Sequence, residues 1–257
     1  MATPHFLKDG PSHLHALVDM GSNGIRFSIT TLAPLTARIT PTLFQSRAGI
    51  SLYDAQYPAL SKGIRQPIDS HTIEAVVSAY RGFKRTCADF GVPEGNVKVL
   101  ATEATRTAIN GEEFMRRIRE AVGWEVTLLA KAEEGRVGAM GIASSLPEVK
   151  GLVMDLGGGS TQLSWLMGSK EGLEMPEGGA VSMPYGAAAL SRRLGEAEAK
   201  GSKAVDELQA EVRETVKAAY ESLQVPREML KQAEDEGGFT LYLSGGGYVA
   251  SCSSCAD

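Results

Sequence analysis

Apolar positions along this chain follow two different periods. Residues 14–20 (LHALVDM) form an apolar run interrupted at Asp19, and the turn Gly21-Ser22-Asn23-Gly24 follows. Residues 25–32 then alternate Ile25, Phe27 and Ile29 against Arg26, Ser28 and Thr30. Period-two alternation beyond a Gly-rich turn predicts a strand–turn–strand hairpin. A third strand is expected over 35–46, and 48–70 reads as irregular, punctuated by Gly, Pro and Ser. From His71 to Phe90 the period lengthens: Ile73, Val76, Val77, Tyr80, Phe83 and Cys87 share one helical face, and Gly91 stops the helix. A short strand at 97–101 precedes a helix over 110–122, with Asn110 as N-cap and Glu113 completing a capping box. A strand at 125–129 and a helix at 132–144, carrying Glu133, Glu134 and Arg136, close the first half.

The second half starts the pattern again. A strand over 151–156 holds Asp155 near its end, Gly157-Gly158-Gly159-Ser160-Thr161 turns the chain, and 162–167 (QLSWLM) alternates as a strand. A third strand within 173–183 is broken by Pro176 and Gly178-Gly179. Residues 186–223 read as helical with an interruption near 195–201, a shorter helix follows at 226–234, and FTLYLS (239–244) is a last strand running into Gly245-Gly246-Gly247.

These two hairpins repeat one another. LVDMGSNGIRFSI (17–29) lies over VMDLGGGSTQLSW (153–165) without a gap, so Asp19 falls on Asp155, Gly21 on Gly157, Phe27 on Leu163 and Ser28 on Ser164. Each copy opens a run of strands followed by helices. That implies a duplicated α/β architecture with a cleft between the copies. The lobes are expected at 1–145 and 146–257, with a hinge near 130–150.

Composition narrows the functional classes. The 257 residues are 43% hydrophobic and 22% charged, ordinary for a globular protein, and the 29 glycines exceed the usual share. A net charge of −5 without a basic stripe argues against binding a nucleic-acid duplex. Three cysteines do not make a disulfide framework, and Cys252 and Cys255 form a lone CxxC with no second pair to complete a zinc site. Neither a leader peptide nor a membrane span is visible, so no membrane partner and a cytoplasmic location are expected.

The chemistry concentrates in the turns. Glycines let backbone N–H groups approach an anion, and an aspartate at the strand end offers the hard oxygen ligand that a divalent cation such as Mg2+ prefers. Two such turns suit a phosphate gripped from two sides. Rival Gly-rich motifs fail: 157–162 lacks the third glycine of a dinucleotide fingerprint and leads into a strand, and no Gly-Lys-Ser/Thr of a P-loop exists.

Four stretches together resemble the Ppx/GppA (exopolyphosphatase) phosphatases, a branch of the actin-like ATPase superfamily with a ribonuclease H-like fold: VDMGSNGIRFSI (18–29), ATEATRTAIN (101–110), AEEGRVGAMGI (132–142) and VMDLGGGSTQLSW (153–165). Within that family the wording is similar to the fungal retrograde-regulation proteins, which act in signalling. The resemblance implies a two-lobed fold and release of a terminal phosphate from polyphosphate or a phosphorylated nucleotide. By position it implies Asp19 and Asp155 near Mg2+. Gly21, Ser22, Asn23, Gly157, Gly158, Gly159, Ser160 and Thr161 would hold phosphate oxygens. Arg106 would neutralise the phosphate chain, and Glu134 would be the general base that activates water.

Two departures from the family pattern stand out. Gln162 occupies the position of the usual glutamate after GGGST, removing a charge near the metal, and the second lobe is expected to be incomplete at its C-terminus, exposing apolar surface along 239–243. Both features favour an alternative: a weakly active or inactive phosphate sensor working through regulatory protein partners. A homodimer also stays open. An ATP-dependent kinase or chaperone of the same superfamily fits less well, because the ATRTAIN and EEGR stretches match the phosphatase branch.

Overall fold

The computed structural model describes residues 13–34, 40–58, 61, 63–169 and 172–245. Residues 35–39 of the expected third strand, the glycines at 246 and 247, and Cys252 and Cys255 lie outside this set. The chain divides into two compact units, 1–129 and 130–257.

In the first unit, strands β1 (Leu14–Gly21), β2 (Gly24–Thr31) and β3 (Thr42–Ala48) form an antiparallel meander. Helices α1 (Leu52–Gln56) and α2 (Ser70–Phe90) lead to β4 (Val97–Ala101), which returns parallel to β1. Helices α3 (Glu103–Arg106) and α4 (Gly111–Val122) then lead to β5 (Val126–Leu128), parallel to β4. The sheet order is β3-β2-β1-β4-β5. Alternation along β1 turns Leu14, Ala16, Val18 and Met20 into the core and leaves Asp19 on the other face. The whole apolar face expected for α2 is buried, with the Phe83 ring stacked on Phe27 at 4.6 Å between centroids. Each such side chain contributes about 1.5–3 kcal/mol on burial. Asp69 accepts from the Thr72 N–H at 2.9 Å to cap α2, and Gly91 ends the helix in the left-handed region, φ 72°.

The second unit opens with helix α5 (Lys131–Ser145), followed by the antiparallel strands β6 (Val149–Leu156), β7 (Thr161–Ser169), β8 (Gly172–Glu174) and β9 (Val181–Met183). Helices α6 (Ala187–Glu198), α7 (Ser202–Ser222) and α8 (Arg227–Glu236) precede β10 (Leu241–Ser244), parallel to β6. The order is β10-β6-β7-β8, with β9 also on β7. Leu163 and Trp165 pack with residues of α7 and α8 on one face, where the Trp165 indole N–H donates to the Leu223 carbonyl at 3.1 Å. Val149, Val153 and Leu166 meet α5 on the other face.

The repeat is structural as well as sequential. Asp19 pairs with Arg26 across β1–β2 and Asp155 pairs with Gln162 across β6–β7, the same register in the gapless overlay. Each aspartate strand carries an antiparallel partner on one side and a parallel one on the other, β4 for β1 and β10 for β6.

Three expectations change in detail, and one about β10 does not. The stretch read as irregular contains α1, whose Ser51 caps it by accepting from the Asp54 N–H at 3.0 Å. Asn110 precedes α4 but forms no capping box with Glu113. Its side chain instead accepts from the Ile68 N–H at 2.8 Å and donates to the Ile68 carbonyl at 2.9 Å, satisfying backbone groups of a buried residue. Strand β10 lies at the edge of the described sheet, and its Leu241 and Leu243 are exposed, in line with the apolar surface expected along 239–243. Finally, α5 packs on the second sheet, and the contact boundary falls at 129/130, at the near end of that helix rather than at 145/146.

Candidate functional site

In the first unit the candidate residues gather at the carboxyl ends of the parallel strands, where open α/β sheets bind ligands. Gly21 pairs with Gly24, which makes Ser22 and Asn23 the two central residues of a tight hairpin turn. The turn is held from outside. The Ser22 carbonyl accepts from the Tyr53 N–H in the first turn of α1 at 2.9 Å, and the Asn23 carbonyl accepts from Arg47 Nη2 at 3.0 Å. Glycine suits position 24 because its φ of 156° is a conformation that L side chains rarely adopt. Arg47 was not singled out in the sequence, because it reaches the turn from β3.

Asp19 is in register with Leu100 of β4, and Arg106 follows at the end of α3. The Arg106 guanidinium pairs with Glu103 at 2.6 Å and donates to the Leu129 carbonyl. These bonds tie the arginine to residues that follow β4 and β5. Burial pushes the Tyr80 phenol well above its ordinary range, and the Asp19 charge pushes it further.

In the second unit, Leu156 pairs with Thr161, so 157–160 is a four-residue loop closed by the Gly157 N–H on the Ser160 carbonyl at 3.0 Å. This loop lies on the amino end of α6. The Ala187 N–H donates to the Gly157 carbonyl at 2.8 Å and the Ala188 N–H to the Gly158 carbonyl at 2.9 Å. Gly186 fits only as glycine, because a Cβ would meet Gly158 C and O and Gly159 N at 2.4 Å. Ser22 and Gly158 are equivalent in the overlay, and each accepts from the second residue of a helix, Tyr53 in α1 and Ala188 in α6. With their carbonyls bonded to a helix end, both turns have a fixed backbone, the condition for presenting N–H groups to an anion.

Side chains around this loop divide by role. The Thr161 hydroxyl donates to the Tyr185 carbonyl at 2.6 Å, so it has no proton left for a phosphate oxygen and acts as part of the wall. Ser160 and Gln162 are buried, and Gln162 Nε2 donates to Ser160 Oγ at 2.9 Å. As acceptor from Gln162, Ser160 keeps its own proton to donate elsewhere.

Asp155 points to the α5 face of the sheet. A Cβ on Gly138 of α5 would lie 3.4 Å from its Oδ2, and one on Gly245 would lie 2.6 Å from its Oδ1. The carboxylate is thus flanked by two positions that bear no side chain. Glu134 lies one helical turn before Gly138, on the same face of α5, and is half-buried. Glu133 is exposed and accepts from the Ala130 N–H at 3.0 Å, capping its own helix. The two adjacent glutamates therefore differ: Glu133 caps its own helix, and Glu134 lies half-buried on the helix face that carries Gly138.

Two hairpin-led α/β units, each with an aspartate strand between an antiparallel and a parallel neighbour, define the actin-like ATPase fold. Within that class the chain belongs to the Ppx/GppA phosphatase family, whose pattern matches residues 33–234. It is 45% identical over 235 residues to Retrograde regulation protein 2 of Saccharomyces cerevisiae, covering 91% of this chain but only 39% of that protein's length. Among solved structures it is similar to the Aquifex aeolicus Ppx/GppA family member, with TM-score 0.56 and 27% identity over 70% of this chain and 53% of that one. An exopolyphosphatase-like protein gives TM-score 0.61 and 25% identity over 81% of this chain and 62% of that one.

Proposed function

We propose that this chain is a phosphohydrolase that binds a phosphate chain at its Gly-rich turns and removes the terminal phosphate from polyphosphate or a phosphorylated nucleotide. The observation that carries the reading is the second turn: a loop pinned to the end of α6 and following Asp155, whose carboxylate lies on the sheet face covered by α5, the helix of Glu134. Glu134 takes a proton from water, the water oxygen attacks the terminal phosphorus, and the bond to the bridging oxygen breaks. The shortened chain leaves with that oxygen. Phosphoryl transfer depends on positioning and charge more than on covalent help, which suits the backbone N–H groups and Ser160 of the second turn, with Ser22 and Arg106 the candidates of the first unit.

Magnesium fits the donor set. Asp19 and Asp155 each offer hard carboxylate oxygens, and the glycines beside Asp155 leave room next to it. No cluster of three or more His, Cys, Asp or Glu that could hold a metal occurs among the described residues; an ion here would take most of its ligands from phosphate and water, as magnesium commonly does. When bound, it spreads the negative charge of the phosphate chain.

A second reading rests on Gln162. A neutral amide stands in register with Asp155, where it orients Ser160 for binding but adds no charge. With the retrograde-regulation relative, this favours a sensor that binds phosphate and turns it over slowly or not at all, acting through regulatory proteins. Phosphate release from polyphosphate, with and without magnesium, separates the two readings. The hydrolase releases phosphate, and Glu134→Gln slows release by about a hundredfold or more, the scale of a lost general base. Tight binding without release selects the sensor, and an unchanged Glu134→Gln rate removes Glu134 from the mechanism.

A further inference from the structure

Beside the second turn lies a polar cluster that joins α6 and α7 to Tyr185. The Tyr185 ring is buried, and its hydroxyl donates to Glu211 Oε1 on α7 at 2.7 Å, with Thr215 Oγ1 at 3.3 Å. Arg193 of α6 forks the same carboxylate, Nη1 to Oε1 at 3.0 Å and Nη2 to Oε2 at 2.6 Å, and its guanidinium carbon lies 5.4 Å from the Tyr185 ring centroid. The Arg193 and Tyr185 hydrogen bonds hold the Glu211 carboxyl down to about 2, so it stays charged at any ordinary pH.

The cluster is mostly exposed at Glu211, so its ion pair adds little to global stability. Its effect is geometric. The Tyr185 carbonyl accepts from Thr161, and the next residue, Gly186, touches the backbone of Gly158 and Gly159 with no space for a Cβ. Backbone packed on backbone cannot absorb a shift through rotamers. A displacement of Tyr185 is therefore passed to the 157–160 loop, and the tip of Tyr185 is fixed by a residue two elements away.

We infer that Glu211, with Arg193, is a positioning residue for the second turn, acting through Tyr185 and Gly186 to hold the loop in its anion-binding shape and coupling α7 to that loop. This rests on the reading of 157–160 as a phosphate turn. The test is hydrogen–deuterium exchange on the full chain together with calorimetric titration of tripolyphosphate, comparing the parent with Tyr185→Phe, Glu211→Ala and Glu211→Gln. Tyr185→Phe keeps the ring, and Glu211 is exposed, so all three are expected to fold.

Tyr185→Phe and Glu211→Ala should speed exchange in peptides covering 156–163 and 186–190 and leave 14–31 unchanged. They should weaken binding about tenfold, within the range seen for residues coupled to a site they do not touch. Glu211→Gln keeps an acceptor for Tyr185 and should restore both readouts most of the way. Faster exchange at 156–163 in the variants, with a parent that binds no tripolyphosphate, upholds the coupling and rejects the phosphate reading. Unchanged exchange at 156–163, or equal acceleration throughout the chain, overturns the coupling.

Discussion

The side-chain amide of Gln162 donates to the hydroxyl of Ser160 at 2.9 Å, and this sets which way the serine proton points. A carboxylate at 162 would reverse the bond: it accepts only, so the serine would give its proton inward and turn lone pairs toward an incoming phosphate. Gln162→Glu is therefore expected to weaken tripolyphosphate binding by about tenfold near pH 8, the scale of one charge-assisted hydrogen bond. Burial raises a carboxyl's pKa, and the protonated acid can again donate to Ser160. The deficit relative to the parent at the same pH should shrink as the buffer is lowered toward about pH 5. A deficit independent of pH contradicts this account of the Gln162–Ser160 bond.

Two glycines near α6 should respond oppositely to alanine. At Gly186 the new methyl meets Gly158 and Gly159 backbone atoms at 2.4 Å, so the loop must move. Gly186→Ala should cost about 1–3 kcal/mol, as overpacking does, and lower tripolyphosphate affinity more than it lowers Tm. Gly195, inside α6, has no atom within 4 Å of a built Cβ. Gly195→Ala should raise stability by up to about 1 kcal/mol through helix propensity and leave binding unchanged. Thermal melts and calorimetry on the pair check both statements.

Glu133 and Glu134 are adjacent but should separate cleanly by assay. Removing the Glu133 cap on Ala130 is expected to cost roughly 0.5–1 kcal/mol in denaturant midpoints without changing turnover. Glu134→Gln should leave stability and ligand affinity near parental values and remove phosphate release. If Glu133→Ala proves the variant without turnover, the assignment of roles along α5 is reversed.

Asp69 provides a stability test with a defined pH sign. Its bond from the Thr72 hydroxyl lowers its pKa in the folded state, with the Thr72 N–H adding to the shift. The cap's contribution is therefore fully present above the unfolded carboxyl value and is lost as pH falls through the lowered folded value. Asp69→Ala should be about 1 kcal/mol less stable than the parent at neutral pH, with the gap closing below roughly pH 4. Urea titrations at several pH values measure it.

The readable parts of this fold were those with a period. Alternation marked both hairpins, and the 3.6-residue period marked the Ile73–Cys87 face, because many side chains report the same surface. The gapless repeat carried the most information, and its shared register survives in the Asp19–Arg26 and Asp155–Gln162 pairs. Helix α1 escaped because five residues cannot show a helical period, although its Tyr53 N–H supports the first turn as Ala188 supports the second. Asn110 looked like a cap because its type and place suit one, yet a buried Ile68 backbone claimed its amide. Arg47 and Gly186 were invisible for a different reason. Each acts through a tertiary contact with a turn many residues away, and no local pattern encodes that.

The central claim is that the acidic, glycine-rich turns of both units bind phosphate. Calorimetric titration of tripolyphosphate with magnesium into the parent, Asp19→Asn and Asp155→Asn tests it most directly. The account predicts saturable binding by the parent and a loss of about tenfold or more in each variant, the scale of a removed metal-ligating carboxylate. Absence of binding by the folded parent, or equal affinity in all three proteins, would contradict it.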